Sequence, residues 1–212
     1  MLIRDLGSMD YPTVYQAMID FTAARTPECV DELWCVQHPP VFTQGRNGKP
    51  EHLHDAGNIP VVEVDRGGQI TYHGPGQLVI YVLIDLNRLG IGVRQLVTSL
   101  EQCIIKLLAE YKIDSVARQD APGVYVNGAK VAALGLRISR GRSYHGLSLN
   151  VDMDLSPFKQ INPCGYKGLE VTQLIELGIN QPLAIICERL TDLLAQDLGY
   201  NTRQHAPLGA LP

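Results

Sequence analysis

No segment of this 212-residue chain is apolar for long enough to span a bilayer. The longest uninterrupted apolar run, Leu78 to Ile84, falls far short of the about 20 residues a spanning helix needs, so no membrane role is expected. The first residues, MLIRDLGSMDYPTVYQ, lack the basic head and apolar core of a secretory signal, and a cytoplasmic location is expected. The five cysteines (Cys29, Cys35, Cys103, Cys164 and Cys187) are odd in number and no CxxC occurs, which argues against a disulfide framework. A net charge of -4 supplies no basic field, so general binding of nucleic acid is disfavoured. His52 and His54, taken with Cys29 and Cys35, match no standard zinc spacing, and no metal is expected. Repeats and linkers are absent too. What is present, 45% hydrophobic and 19% charged residues, is a globular composition that suits one domain over 1–212, with a loosely packed tail from about Asn201.

Three segments carry apolar residues at helical spacing. They are YPTVYQAMIDFTAAR (Val14, Ala17, Met18, Phe21, Ala24), RQLVTSLEQCIIKLLAEY (Leu96, Leu100, Cys103, Ile104, Leu107, Tyr111) and QPLAIICERLTDLLAQDL (Leu183, Ile186, Leu190, Leu193, Leu198). Asn180 is the expected cap of the third, with Pro182 in its first turn. A short helix is expected over about Thr172 to Leu177, stopped by Gly178. Strands are expected in DELWCVQ, IPVVEVD, QLVIYVLIDL, GVYV, KVAALGLRI and YHGLSLNVD. Asn127-Gly128 marks a hairpin, because both turn positions need positive φ. Strands gathered mid-chain between helical segments predict an α+β fold, a mixed and largely antiparallel sheet with helices on one face.

Cys164 stands apart from the other cysteines. Pro163 precedes it and Gly165 follows it, in a shaped loop just before a helical pattern. A thiol near a helix start or a cation is a nucleophile at neutral pH, although a structural loop thiol also fits. Cys35, Cys103 and Cys187 lie in strand or helix patterns and read as inert core thiols; Cys29 is ambiguous. Lys130 follows the Asn127-Gly128 turn. Simple alternation puts it on the face of Ala132, Leu134, Leu136 and Ile138. Desolvation there would disfavour its ammonium form, which suits acid–base work, whereas a strand-end lysine can instead snorkel into water. RGGQITYHGPGQ (Arg66 to Gln77) is neither a P-loop nor a dinucleotide fingerprint. Its glycines can bring backbone close to a ligand or merely make a tight connection. His73 and His145 are candidate partners for Cys164, each with a structural alternative.

Taken together, RGGQITYHGPGQLVIY, GAKVAALGLRISRGRSYHGLSLNVDMDLSPF and INPCGYKGLEVTQL resemble the lipoyl(octanoyl) transferase family over most of the chain. The resemblance implies the fold of the biotin and lipoate protein ligases, and transfer of octanoyl (or lipoyl) groups from acyl carrier protein, on whose phosphopantetheine they arrive. No further cofactor is implied. The acceptors would be a lysine on lipoyl domains of 2-oxoacid dehydrogenases and on the glycine-cleavage H protein. Cys164 matches the acyl-carrying cysteine and Lys130 its paired lysine. Arg66, Gly67, Gly68, Gln69, Ile70, Thr71, Tyr72 and His73 match substrate-binding positions, as do Ala133-Leu134-Gly135 and Gly146-Leu147-Ser148. A monomer is expected. The basic run Arg137, Arg140 and Arg142, with Lys159 and Lys167, is a candidate docking surface for the acidic carrier. An ATP-dependent ligase of the same fold, a cysteine hydrolase and a binding module remain the competing readings.

Overall fold

The computed structural model describes residues 1–166 and 168–212, and for Cys164 the backbone without the side chain. The chain runs β1 (Leu2–Ser8), α1 (Tyr11–Ala24), β2 (Glu32–Gln37), β3 (Val41–Gln44), β4 (Val61–Glu63), β5 (Ile70–His73), β6 (Gln77–Leu83) and α2 (Leu86–Leu89). It continues through α3 (Val93–Glu110), β7 (Val116–Ala117), β8 (Gly123–Val126), β9 (Ala129–Ser139), β10 (Arg142–Asn150), α4 (Leu183–Asp197) and β11 (Gln204–His205). Eight strands form one sheet in the order β11-β1-β2-β6-β10-β9-β8-β7, and β4-β3-β5 form a second. In the large sheet β1 pairs in parallel with β2 and with β11; the other pairs are antiparallel.

Strand β6 explains why the longest apolar run sits where it does. Its Leu78, Ile80 and Val82 pack against Leu100 and Ile104 of α3 and Leu190 of α4. Its Val79, Tyr81 and Leu83 pack against Tyr11, Val14 and Met18 of α1 on the opposite face. A strand covered on both faces reads as a continuous apolar run rather than an alternation. The expectation of helices on one face is corrected accordingly: α1 covers one side of the sheet, and α3 with α4 the other. Leu78, Ile80 and Leu100 are fully buried, and truncating any of them to alanine costs about 2–5 kcal/mol.

The stripes of α3 and α4 fold as the spacing predicts; α1 forms too, but its buried residues are Tyr11, Val14, Met18 and Thr22, and Ala24 of the expected stripe is exposed. Asp10 caps α1, its side chain accepting the Thr13 N–H at 3.0 Å. Helix α4 differs at its start: Pro182, with extended backbone, is the cap residue, no side-chain cap is made, and Asn180 lies outside. The expected helix at 172–177 is a shorter 3-10 turn, Ile175–Leu177, ended by Gly178 at φ +85°. The segment before it is held in extended pairing by its neighbours: Thr172 N–H goes to Lys130 O and Leu174 N–H to Asn150 O. The hairpin at Asn127-Gly128 has φ +49° and +88°, as its residues require. In the tail, β11 adds to the sheet edge while most residues after Asn201 stay exposed. Among the described residues no helix is long and apolar enough to cross a membrane.

Candidate active site

A cavity lies between the glycine-rich segment with β5 and the face of β6, β9 and β10 that looks toward α1. Its lining includes Arg66, Gly68, Gln69, Ile70, Thr71, His73, Ala133, Leu134, Gly135, Gly146, Leu147 and Ser148. Register explains the convergence: Ala133, Ser148 and Val79 form one rung across the three strands, and Gly135, Gly146 and Tyr81 form another. At Gly135 a Cβ would meet Arg66 Cδ at 3.0 Å and Gly67 O at 3.3 Å, so a bare Cα lets the glycine segment lie on the sheet. Two residues of the matched segments face elsewhere. Gly67 donates its N–H to Leu136 O at 2.9 Å and does not line the cavity. Tyr72 packs with Phe42 and Phe158 in a separate core, because strand alternation turns it away from Thr71 and His73. Tyr11, Val79, Tyr81 and His145 complete the lining. Only period 2 along β6 hinted at Val79 and Tyr81, and nothing in the sequence pointed to Tyr11.

The polar groups of the cavity wall are tied down. Arg66 donates from Nη2 to Thr43 O at 2.6 Å and to Thr43 Oγ1 at 3.0 Å. His73 Nδ1 lies 2.7 Å from Gln77 Oε1. Gln77 spends its amide N–H groups on Tyr72 O (3.2 Å) and Asn150 Oδ1 (2.9 Å), so its oxygen faces the imidazole and His73 carries its proton on Nδ1. Burial, with His38 close by, pushes the His73 imidazole down to about 3, and it is neutral near pH 7. His145 lies beside Asp65, with Nε2 3.0 Å from Oδ1; burial lowers its pKa despite that carboxylate. Burial alone would raise the Asp65 carboxyl. Hydrogen bonds from His145, Tyr144 and Tyr15 outweigh it and hold the group well below the usual carboxylate range.

Lys130 is 3% exposed. The expectation that it shares a face with Ala132 and Leu134 is corrected by a bulge. Val124 pairs with Ala132 but Tyr125 pairs with Lys130, leaving Val131 as an extra residue. Val131 and Ala132 both enter the α3–α4 core. Lys130 is thereby turned to the side of Tyr125, Gly123 and Ala133, the side of the cavity; bulges commonly re-aim side chains at sites. Its Nζ donates to Pro122 O at 3.2 Å and lies 5.1 Å from the centre of the Tyr125 ring.

The Cys164 backbone belongs to a 3-10 turn, Pro163–Gly165. The turn is anchored from the segment first weighed for zinc: Asn162 N–H goes to His52 O at 2.8 Å, and His54 Nε2 lies 3.1 Å from Asn162 Oδ1. Among the described residues no cluster of three metal-ligating side chains occurs. A Cβ on Gly165 would lie 3.2 Å from Gln69 Nε2, which puts the turn against the cavity's glycine segment. The chain beyond it returns to Lys130, whose N–H reaches Glu170 O at 2.8 Å and whose carbonyl accepts Thr172 N–H at 2.9 Å. Tyr166 OH donates to Asp120 Oδ2 at 3.1 Å, clasping the turn to the loop that ends in Pro122. The structure thus sets the Cys164 turn against the cavity's glycine segment and ties the chain after it to the Lys130 backbone, while Lys130 itself is not among the cavity's lining residues. The Cys164 side chain and Lys167 lie outside the described residues. In the basic run, Arg137 lies 3.8 Å from Asp65 and Arg142 3.5 Å from Asp85, while Arg140 is exposed at the β9–β10 turn.

The fold is that of solved lipoate and biotin protein ligases. The bipartite lipoate protein ligase of Thermoplasma acidophilum, studied with its E2 lipoyl domain, superposes with a TM-score of 0.75 at 13% identity over 98% of this chain and 87% of that one. The biotin protein ligase of Aquifex aeolicus gives 0.56 at 12% identity, over 93% and 69%. Residues 13–194 match the lipoyl protein ligase A/B catalytic domain. An octanoyltransferase of Shewanella sp. (strain W3-18-1) is 60% identical over 203 residues, 96% of this chain and 94% of the relative. The chain belongs to the lipoyl protein ligase A/B catalytic domain family, on its lipoyl(octanoyl) transferase branch. It is an acyltransferase.

Proposed function

We propose that the protein takes an octanoyl or lipoyl group from acyl carrier protein and delivers it to a lysine of lipoyl domains, through a thioester on Cys164. The acceptors are the lipoyl domains of 2-oxoacid dehydrogenases and the glycine-cleavage H protein, in the cytoplasm. The observation that carries this reading is the return of the chain from the Pro163–Gly165 turn, which lies on the cavity, to the backbone of buried Lys130.

The Cys164 thiolate attacks the carrier thioester; the acyl–sulfur bond to the phosphopantetheine breaks, and Lys130 as ammonium gives its proton to the departing thiol. The ammonium also favours the thiolate that attacks. The acceptor lysine, as neutral amine, then attacks the Cys164 thioester. Lys130, now neutral, takes the proton released as the amide forms and the Cys164 thiolate leaves. The acyl chain occupies the cavity over the Ala133–Ser148 and Gly135–Gly146 rungs, whose small residues leave it room. The thioester keeps its energy throughout, so no nucleotide is spent. The hydrolase reading loses support from the histidines: burial takes the His73 imidazole down to about 3 and lowers that of His145, which leaves both weak bases, and His73 Nε2 lies 3.5 Å from Thr43 Oγ1.

The test is the substrate requirement. Octanoyl-acyl carrier protein without ATP should modify an apo lipoyl domain, and octanoate with ATP should not. Transfer only from octanoate with ATP would give the chain to the ligase class instead.

A further inference from the structure

Helix α3 carries a carboxylate on its buried side. Glu101 stands next to Leu100 among the core residues and is only 9% exposed. A charge in such a place is costly unless partnered. Its Oε1 accepts the Gly123 N–H at 3.1 Å. Gly123 has φ +148°, and a Cβ there would lie 2.4 Å from Ala132 O, 3.1 Å from Lys130 Cε and 3.2 Å from Lys130 Nζ. One backbone unit therefore separates Glu101 from Lys130: its N–H points at the carboxylate and its bare Cα lies against the ammonium. The preceding carbonyl, Pro122 O, accepts from the same Nζ. Burial raises the Glu101 carboxyl above its ordinary range, and the Gly123 N–H and the Lys130 charge each draw it back down. Favour between two charges is mutual, so the carboxylate in turn stabilises the ammonium. An acceptor for the Gly123 N–H alone would need no charge.

We propose that Glu101 is a positioning residue for Lys130: it fixes the Pro122–Gly123 turn on which the ammonium rests and supplies a counter-charge across that turn. This rests on Lys130 acting as acid and then base. Among the described residues, Glu101 from α3, the Tyr125 ring from β8 and the backbone oxygens of Pro122 and Glu170 are groups that face Lys130. The Cys164 side chain and Lys167 lie outside the described residues. Acylation of the enzyme needs the ammonium and delivery to the acceptor needs the amine, so the counter-charge sets the balance between the two halves.

Glu101→Gln keeps an oxygen for the Gly123 N–H and removes the charge. The alkaline limb of the acylation rate should move to lower pH, with carrier KM unchanged. Lysine 13Cε shifts, with Lys130 assigned by its loss in Lys130→Arg, should show the Lys130 titration moving the same way. A moved 13Cε titration with an unmoved rate profile would support the counter-charge while removing Lys130 from the proton transfers. If neither moves, Glu101 is only an acceptor for Gly123 and the proposal falls. Should Glu101→Gln fail to fold, the Glu101 carboxyl 13C titration in wild type and Lys130→Met decides. It must move to higher pH when Lys130 is lost; an unchanged titration overturns the proposal.

Discussion

His73 lies in the cavity wall, where a base for Cys164 would be sought, yet its surroundings make it a structural group. Burial pushes its imidazole from 6.5 down to about 3, and the same cause takes His38 down to about 4. Both are buried neutral in the folded chain and recover ordinary values when it unfolds. Between pH of about 4 and 6.5 the unfolded chain therefore binds more protons, and stability rises with pH across that window. The urea midpoint should climb from pH 4.5 to pH 6.5 and flatten above it. In His73→Gln the climb should be shallower, and an equal climb would show that His73 is not held neutral. At this scale the sequence was partly legible. Cys164 and Lys130 stood out through Pro-Cys-Gly and a lysine beside a turn. Glu101 did not, because a glutamate next to a helical stripe looks the same whether its carboxylate meets water or Gly123.

The long helices were readable from their spacing; among the described residues six strands were readable and β1, β3, β5, β7 and β11 were not. Alternation along β9 assigned Lys130 to the face of Ala132 and Leu134; Val131, the bulge residue, reverses that assignment. Sequence period does not reveal a bulge, since its cause is the partner strand's register. The 3-10 turn at Ile175–Leu177 was likewise overread, because donors from Thr172 and Leu174 go to Lys130 and Asn150, partners distant in sequence. The loop bearing Cys164 is held at both ends, by His52 and His54 before it and by Tyr166 on Asp120 after it. Tyr166→Phe removes an exposed hydrogen bond, and global stability should fall by less than about 1 kcal/mol. Amide exchange over 163–171 should nonetheless speed up several-fold and octanoyl transfer should drop a few-fold. Unchanged exchange there would mean that the Asp120 clasp does not hold the loop.

For the molecule as a whole, the α+β class followed from strands gathered between amphipathic helices, whereas the strand order and the covering of both sheet faces came only with the structure. A net charge of -4 opposes an acidic carrier, so docking depends on local charge. Asp65 and Asp85 engage Arg137 and Arg142, while Arg140 projects from the β9–β10 turn. Arg140→Glu should raise the carrier KM several-fold at low salt, with the effect fading as salt rises; an unchanged KM would remove this turn from the docking surface. The central claim is a covalent relay through Cys164, and intact-protein mass spectrometry tests it most directly. The enzyme is mixed with octanoyl-acyl carrier protein in the absence of ATP, mapped by peptide, freed of carrier and then given an apo lipoyl domain. One octanoyl group is expected on Cys164, leaving the enzyme as it appears on the acceptor lysine. Transfer that proceeds with Cys164 unacylated, or undiminished in Cys164→Ala, would contradict it.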